Sequence, residues 1–166
     1  MCRISIIVAC SRNRVIGRNG RLPWDIPEDW EYFLKQTRDG TLVFGHNCYK
    51  EMIDRTRRTC ETVVLSRNPG FHPEFGHRAG SLPEALDIAR ALGREIWICG
   101  GENVYKESLG VADRLLLTLV DTEIEGDTKF PPWEQDFTHE VFRRDSCDTN
   151  YRYTFFTYER KGGTHA

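Results

Sequence analysis

The sequence predicts an α/β domain with three layers, in which helices cover both faces of a mostly parallel central β-sheet and antiparallel strands complete its C-terminal edge. Short runs of β-branched and other apolar residues recur as far as Val120, and segments with helical periodicity separate them. Beyond that point the pattern changes to alternating apolar and polar residues. Buried strands that alternate with helices are typical of parallel sheets with right-handed crossovers, whereas alternation within a strand is typical of antiparallel pairs.

Five apolar runs are predicted to be strands buried on both faces of the sheet, because each is short and rich in Val, Ile and Leu. They occupy residues 4–10, 41–45, 62–66, 95–99 and 114–120. Two later segments, at residues 137–143 and 151–160, alternate apolar and polar side chains. These two are predicted to form an antiparallel pair joined by a turn at "DSCDTN".

Four segments are predicted to be helices, at residues 27–37, 46–53, 82–92 and 102–109. Pro27 suits the first turn of a helix, where its missing N–H is not needed. Ser81 precedes Glu84 by three residues, which is the spacing of a capping box at the start of the third helix. We expect one domain over residues 1–160 and a flexible tail at residues 161–166.

The composition of the 166 residues, with 39% hydrophobic and 29% charged side chains and a net charge of -2, is that of a globular protein. A weakly acidic chain is not expected to bind nucleic acid, because such binding usually requires a surplus of positive charge. The six cysteines form no Cys-x-x-Cys pair, so no metal site is predicted. There is no recognisable signal sequence and no apolar run near the roughly 20 residues of a membrane helix, so we expect a cytoplasmic protein that does not bind membranes. We also expect a monomer.

The first predicted helix carries one acidic residue, Asp29, at the edge of its apolar face. Winding the segment at about 100° per residue gives an apolar stripe with Leu34 on its other edge. The stripe consists of Ile26, Trp30, Phe33 and Thr37, and the opposite face, which is expected to be solvated, carries Glu28, Glu31 and Lys35. Asp29 would complement the helix dipole in the simplest case. A carboxyl group at an apolar edge also has a raised pKa, which suits proton transfer, and it can hold an amidine-like ring through two hydrogen bonds.

Two junctions between a strand and a helix contain glycine and are predicted to bind phosphate groups. One is Gly100 with Gly101, and the other is Gly45, which is followed by His46, Asn47 and Cys48. Glycine lets a ligand approach the main chain, and the N-terminus of a helix favours an anion. Either junction could simply form a turn. Two such junctions at the carboxyl ends of successive strands, however, predict a dinucleotide site.

These motifs, taken in order along the chain, resemble the dihydrofolate reductase family. The resemblance extends from Ile4 to about Tyr158 and rests on the segments "VIGRNGRLPW", "IPEDWEYFLKQT", "FGHNCYKEM", "VVLSR", "ICGGENVY" and "LTLVDTEIEGDTKFP". It implies the fold of that family and its reaction, which is the NADPH-dependent reduction of 7,8-dihydrofolate to 5,6,7,8-tetrahydrofolate. In that reaction hydride is transferred to C6 of the pterin ring.

For the substrate, the resemblance implies that Asp29 binds the pterin ring and promotes protonation of its N5, while Thr118 supports Asp29 through a water or the pterin amino group. The resemblance also implies that the backbone of Ile7, Val8 and Ala9 contacts the substrate. The side chains that it implies as walls of the pterin and aminobenzoyl sites are Trp30, Phe33, Leu34 and Met52. Leu22 and Trp24 are implied to belong to a mobile loop that closes over the nicotinamide and excludes water. Antifolate inhibitors are a further class of ligand that the resemblance allows.

For the cofactor, the resemblance places Ala9, Ile16 and Gly17 beside the nicotinamide. The residues that it places against the pyrophosphate and adenosine are Gly45, His46, Asn47, Cys48, Cys99, Gly100, Gly101, Glu102, Asn103, Val104 and Tyr105. It also implies a cis peptide bond between Gly100 and Gly101. The residues that it places at the 2′-phosphate, which favours NADPH over NADH, are Leu65, Ser66 and Arg67.

Two departures from the family pattern affect these assignments. The family usually has threonine at the position of Cys48, and the loss of the hydroxyl group is expected to weaken one pyrophosphate contact, although the backbone N–H remains. The turn that carries the arginine for the glutamate tail of folate is replaced by "DRTRRTCE" at residues 54–61, which puts Cys60 where arginine is expected. Arg58 is the predicted replacement, with Arg57 as the alternative after a shift of one residue.

Four other functions are considered. A reductase of the same fold that acts on a ribosylated pyrimidine is disfavoured by Asp29, whereas a pterin reductase that needs no glutamate tail is favoured by the missing arginine. A nucleotide-binding module would bind NADPH but would reduce no pterin. A glycosidase built on the acids of the first helix is disfavoured, because the helix winding points Glu28 away from Asp29.

Overall fold

The structure of the protein is a computed structural model that describes residues 2–19 and 21–160, so the predicted tail at residues 161–166 lies outside it. The strands of the described part are β1 (Ile4–Ser11), β2 (Val15–Gly17), β3 (Thr41–Gly45), β4 (Glu61–Leu65), β5 (His77–Ala79), β6 (Ile96–Ile98), β7 (Arg114–Val120), β8 (Thr128–Lys129), β9 (Phe137–Cys147) and β10 (Arg152–Arg160). The helices are α1 (Pro27–Thr37), α2 (His46–Thr56), α3 (Leu82–Leu92) and α4 (Glu102–Ser108).

Eight of these strands form one sheet in the order β5-β4-β3-β6-β1-β7-β10-β9. The strands from β5 to β7 in that order are parallel, and β10 is antiparallel to both β7 and β9. A mostly parallel sheet with an antiparallel C-terminal edge is the predicted fold class, which is confirmed.

The helices lie on both faces of the sheet because successive side chains of the central strands point in opposite directions. Ile6 and Val8 of β1 belong to a core cluster that includes residues of α3 and α4. Ile7 belongs to a second cluster that includes residues of α2 and packs against Phe33 of α1. A third, smaller cluster joins the residues just before α1 to β7 and β10, and its buried members are Trp24, Ile26, Val120, Tyr153 and Phe155.

Most predicted boundaries agree with the structure to within one or two residues, and α1 and α3 agree at both ends. The helix α2 continues three residues beyond the predicted end, and Thr56 closes it by donating its hydroxyl to the carbonyl oxygen of Met52 at 3.1 Å. The helix α1 begins at Pro27 after Ile26, which has no side chain that could cap the helix, so its first turn lacks the usual hydroxyl or carboxylate partner. No helix in residues 2–19 and 21–160 is long and apolar enough to cross a membrane.

The predicted turn at "DSCDTN" is wrong for its first three residues, which extend β9 to Cys147. These residues pair with the start of β10, with Ser146 opposite Tyr153 and Asp145 opposite Thr154. The hydroxyl of Thr154 donates to Asp145 at 2.7 Å, which gives the polar pair a cross-strand bond. Cross-strand pairing therefore extends β9 through three residues whose composition is typical of a turn.

Three short strands were not predicted, and two of them shape the long polar connection after β1. In that connection β2 pairs antiparallel with β8, which brings residues 15–17 against residues 128–129. Gly126 makes this approach feasible, because a Cβ atom there would collide with the side chain of Val15 and the carbonyl oxygen of Gly17. The connection after β1 is thus held in place by β8, which lies more than 100 residues further along the chain.

Candidate active site

A cavity of about 290 Å³ opens between α1, α2 and the sheet. Ile7 of β1 and Thr118 of β7 line it from the sheet, and Asp29 and Met52 line it from the two helices. Gly100, which follows β6, lines it at the other side. The cavity therefore lies at the carboxyl ends of adjacent parallel strands, which is where α/β sheets usually bind ligands.

Asp29 is the carboxyl group of α1 that faces this cavity, as the winding of the helix predicted. Its Oδ1 accepts a hydrogen bond from the hydroxyl of Thr118 at 2.7 Å. Burial raises the pKa of Asp29 to about 6, while the bond from Thr118 opposes that change and the neighbouring charge of Glu28 adds to it. A carboxyl group with this pKa exchanges its proton near neutral pH, which is the property required of a general acid.

Glu28, the preceding residue, has the opposite environment, and the prediction that it is simply solvated is wrong. It accepts hydrogen bonds from Ser146 at 2.5 Å, Tyr153 at 2.7 Å and Arg144 at 2.8 Å. These bonds lower the pKa of Glu28 to about 2. Two adjacent acids of one helix turn are thus separated in function by their surroundings, since only Asp29 can hold a proton near neutral pH.

The other end of the cavity is apolar and aromatic. Trp30 and Phe33 meet edge to face with 5.8 Å between ring centroids, and Met52 lines the wall beside them. The guanidinium of Arg55, an exposed residue, lies 4.2 Å from the centroid of the Trp30 ring. This end offers flat apolar surface to a ligand, with a positive charge beside it.

The glycine junction forms a stretch of bare backbone on the cavity wall. Gly100 has φ +115 and is joined to Gly101 by a cis peptide bond, as predicted. The N–H of Gly45 donates to the carbonyl oxygen of Gly100 at 2.9 Å, so the ends of β3 and β6 meet here. A Cβ atom on Gly100 would lie 3.2 Å from the thiol of Cys48. Main chain without side chains, beside the uncapped N-terminus of α2, fits the diphosphate of a dinucleotide cofactor.

A family model described as dihydrofolate reductase matches residues 3–160 of the chain. The chain belongs to the dihydrofolate reductase family. Dihydrofolate reductase HdrB of Haloferax volcanii is 34% identical over 167 residues, which cover 96% of this chain and 84% of that protein. Dihydrofolate reductase of Bacillus subtilis (strain 168) is 31% identical over 167 residues, which cover 98% of each. The alignments therefore span nearly the whole domain.

Solved structures give the same result. A dihydrofolate reductase from Enterococcus faecalis, complexed with NADP(H) and RAB-propyl, superimposes with a TM-score of 0.85 and 30% identity, covering 95% of this chain and 96% of that one. The superposition therefore covers nearly all of both chains.

The cavity brings together most of the residues that the dihydrofolate reductase resemblance assigns to the two ligands. On the substrate side the wall includes Leu22, Ile7, Val8, Ala9, Asp29, Trp30, Phe33, Met52 and Thr118. On the cofactor side it includes Ile16, Gly17, Asn47, Cys48, Cys99, Gly100, Gly101, Glu102 and Tyr105. Residues from six separate segments thus converge on one space, although they are far apart in the sequence.

Other assigned residues lie outside the cavity wall. They are Trp24, Leu34, Gly45, His46, Arg58, Leu65, Ser66, Arg67, Asn103 and Val104. Val104 is buried in the core, and Ser66 binds the neighbouring strand by donating its N–H to Ala79 at 2.9 Å. His46 stacks on Phe71 with 4.2 Å between ring centroids.

Trp24 is buried in the third core cluster against Val120 and Phe155, rather than lining the cavity. Its indole N–H has no hydrogen-bond partner among the described residues. Leu22, two residues earlier, is exposed and does line the cavity. The two residues of the predicted loop therefore have different environments, because Trp24 is packed in the core and Leu22 lies at the opening of the cavity.

Four residues of the cavity wall were not predicted from the sequence: Arg21, Tyr32, Glu51 and Thr128. Helical spacing could have identified two of them. Tyr32 lies three residues after Asp29, and Glu51 lies three residues after Cys48, so each shares a helix face with a predicted residue. Arg21 and Thr128 lie in connections, where no periodicity marks the side that faces a ligand.

The region that replaces the tail-binding turn contains a buried thiol and three exposed arginines. Cys60 is buried and donates its thiol to the carbonyl oxygen of Thr37 at 3.2 Å, which ties the end of α1 to the start of β4. Arg57 lies over the ring of Phe75 at 4.4 Å, and Arg58 is exposed. Of the three arginines, Arg55 is the one that contacts a residue of the cavity wall.

Proposed function

We propose that the chain catalyses the NADPH-dependent reduction of 7,8-dihydrofolate to 5,6,7,8-tetrahydrofolate. The observation that carries this proposal is the carboxyl group of Asp29, which is held by Thr118 in the wall of a mainly apolar cavity with a pKa near 6. Membership of the dihydrofolate reductase family supports the same reaction. Asp29 also favours a pterin over a ribosylated pyrimidine, because a buried carboxyl group matches the amidine-like edge of the pterin ring.

In this proposal Asp29 binds the pterin ring and promotes protonation of N5. Thr118 orients the carboxyl group by a direct hydrogen bond, where the resemblance had implied a water or the pterin amino group. The other carboxyl oxygen stays available to the ring, where it donates a hydrogen bond when Asp29 is protonated and accepts one when Asp29 is ionised. A general acid of this kind typically contributes a rate factor of about 10² to 10⁴.

The apolar residues of the wall exclude water from the reacting ring. Ile7, Val8 and Ala9 would support the pterin from β1, while Trp30, Phe33 and Met52 would contact the aminobenzoyl group. Leu22 at the opening would close over the site when both ligands are bound. Exclusion of water keeps the proton on Asp29 and prevents its loss to solvent.

NADPH supplies the hydride when it is bound. Ile16 and Gly17 would flank the nicotinamide, and the glycine junction with Asn47 and Cys48 would hold the diphosphate. Leu65, Ser66 and Arg67 lie beyond the cavity wall at the end of β4, and their contact with the 2′-phosphate stays a prediction, as does that of Gly45, His46, Asn103 and Val104 with the cofactor. The monomeric state, the cytoplasmic location and the binding of antifolate inhibitors also stay predictions.

The reaction is tested by following the loss of NADPH absorbance after addition of 7,8-dihydrofolate. We expect saturable consumption of NADPH with formation of tetrahydrofolate, and none when the pterin is omitted. NADPH binding without turnover of any dihydropterin would contradict the proposal and would favour a nucleotide-binding module. Turnover of a ribosylated pyrimidine instead would assign the chain to the other reductase of this fold.

The glutamate tail of dihydrofolate provides a separate prediction. Arg55 is favoured over Arg57 and Arg58 as its partner, because Arg55 alone contacts a residue of the cavity wall. We expect Arg55→Gln to raise the KM for dihydrofolate about fivefold with little change in kcat, since an exposed ion pair contributes up to about 1 kcal/mol. The KM for a dihydropterin without a tail should not change.

Arg57→Gln and Arg58→Gln are the matched controls for this prediction. Each removes one charge from the same exposed segment, and neither should raise the KM for dihydrofolate. A rise confined to Arg58→Gln would restore the assignment made from the sequence. Equal KM values for dihydrofolate and the tail-free dihydropterin in the native protein would show that no arginine binds the tail.

A further inference from the structure

The first turn of α1 touches the sheet at two points of one cross-strand row. In that row Ala9 of β1 lies opposite Thr118 of β7, Thr118 lies opposite Phe155 of β10, and Phe155 lies opposite Arg144 of β9. Residues directly opposite one another in adjacent strands present their side chains on the same face of a sheet. The row therefore leads from the cavity wall to the exposed edge strand beneath α1.

Consecutive residues of α1 bind two members of this row, Thr118 and Arg144, which lie on either side of Phe155. Asp29 accepts from Thr118 at 2.7 Å, and Glu28 accepts from Arg144 at 2.8 Å. The middle of the row is also filled, because Arg144 lies over the ring of Phe155 at 4.5 Å and Tyr32 packs on the same ring at 4.4 Å. The helix turn is thus held across about the width of two strands.

Two further bonds fix Glu28 in this place. Ser146 and Tyr153, which lie opposite each other in β9 and β10, donate to the same oxygen of Glu28 at 2.5 and 2.7 Å. The first turn of α1 has no capping side chain, since Ile26 stands at that position. An uncapped first turn is prone to fray, and fraying here would move the carboxyl group of Asp29 away from Thr118.

We infer that Glu28 is a positioning residue for Asp29, and that its ion pair with Arg144 both fixes the first turn of α1 and sets the charge next to the proton-carrying carboxyl group. This inference rests on the proposed reductase activity, in which Asp29 promotes protonation of the substrate. Glu28 does not touch the cavity, so it acts on the reaction only through Asp29.

The charged groups around Asp29 predict the direction of each effect. Glu28 and Tyr32 face it from α1, and the buried Tyr105 faces it from α4. The partner from β7 is Thr118, which does not titrate in this range, while Arg21, Glu51 and Glu102 line the same cavity. Among these groups Glu28 is the one whose charge raises the pKa of Asp29, and Arg144 partly balances that charge.

The test compares Glu28→Gln with Arg144→Gln by measuring the rate of hydride transfer against pH in single-turnover experiments. Removing the negative charge of Glu28 should lower the pKa of Asp29, whereas removing Arg144 leaves Glu28 unbalanced and should raise it. We expect shifts of about half a pH unit in opposite directions, the size that Coulomb's law gives for unit charges about 6 Å apart in a water-like dielectric. Glu28→Ala, which also loses the bonds, should lower the rate several-fold with an unchanged KM for NADPH.

Two matched controls lie on the same elements. Glu31→Gln removes an exposed acid from α1, and Arg143→Gln removes an arginine that pairs with Glu140 at 3.0 Å and lies over Phe156, on the other face of the hairpin. Neither should move the pH profile. Shifts of the same sign in Glu28→Gln and Arg144→Gln, or shifts no larger than those of the controls, would overturn the inference and leave a role in stability alone.

A second readout separates this inference from the proposed reaction. Carbon NMR can follow the titration of the Asp29 carboxyl group in the protein without ligands, and the same opposite shifts are expected there. If the native protein reduces no dihydrofolate, the proposed function fails, but this titration still tests the effect of Glu28 and Arg144 on Asp29. If turnover occurs and the titration of Asp29 is the same in both variants, only the inference fails.

Discussion

Replacing Asp29 with Asn should lower kcat for dihydrofolate about 100-fold or more near neutral pH, because a general acid typically contributes a factor of about 10² to 10⁴. Asn keeps the size of the side chain and an oxygen that can accept from Thr118, which donates to Asp29 at 2.7 Å in the native protein. The variant loses the ability to carry a proton, together with the negative charge that accepts hydrogen bonds from the pterin ring. The effect should therefore appear in kcat more than in the KM for NADPH.

The rates of the native protein and of Asp29→Asn should depend on pH in different ways. Since the pKa of Asp29 is about 6, the native rate should be high in acid and should fall as the pH rises through that value. The variant should recover part of its rate in acid, where solvent can protonate the substrate directly. Asp25→Asn is the matched control, because Asp25 is exposed and lies just before the same helix. A fully active Asp29→Asn at neutral pH would exclude Asp29 as the proton-handling group.

Gly100→Ala should have the second largest effect, and it should act on the cofactor site. Gly100 has φ +115, a conformation that costs an alanine about 1–3 kcal/mol. Its new methyl group would also lie 3.2 Å from the thiol of Cys48 and 3.3 Å from the ring of Tyr105. Because Tyr105 donates to the carbonyl oxygen of Ile7 at 2.9 Å, displacement of its ring would reach the cavity wall. We expect the Kd for NADPH to rise at least about tenfold, because a strain of about 1–3 kcal/mol at a ligand site is enough for a change of that size.

Fluorescence titration with NADPH, together with urea denaturation, would measure both consequences of this change. Gly93→Ala is the control for backbone strain alone, because Gly93 has φ +71 and no atom within 4 Å of an added Cβ. It should lose a similar free energy of unfolding while its affinity for NADPH is unchanged. Equal losses of NADPH affinity in both variants would mean that the glycine junction has no special role.

Local signals in the sequence predicted the parts of the fold that depend on neighbouring residues. Pro27 predicted the start of α1, and an apolar run predicted the strand β7. The predicted bounds of both elements agree with the structure. The orientation of Asp29 also follows from local information, because the apolar stripe of one helix fixes which side faces the sheet.

The environment of Glu28 could not be predicted in this way. Its partners come from the β9–β10 hairpin, 116 to 125 residues further along the chain. Periodicity identified Glu28 as facing away from the apolar stripe, but it did not show that an edge strand would lie there. Trp24 is a similar case. It is buried with Val120 and Phe155, and the residues around Trp24 in the sequence do not indicate that these two would cover it.

The raised pKa of Asp29 also means that the free energy of unfolding depends on pH. The folded protein binds a proton at Asp29 with a pKa of about 6, compared with the ordinary value of 3.8 that applies when the chain is unfolded. The stabilisation from that proton is complete below about pH 3.8 and is lost as the pH rises through 6, a difference of at most about 3 kcal/mol. Above that range the empty enzyme holds an ionised carboxylate in a poorly solvated place. A pterin ring that donates hydrogen bonds to this carboxylate would relieve the cost, so substrate should protect the enzyme against unfolding more strongly in mild alkali than in acid.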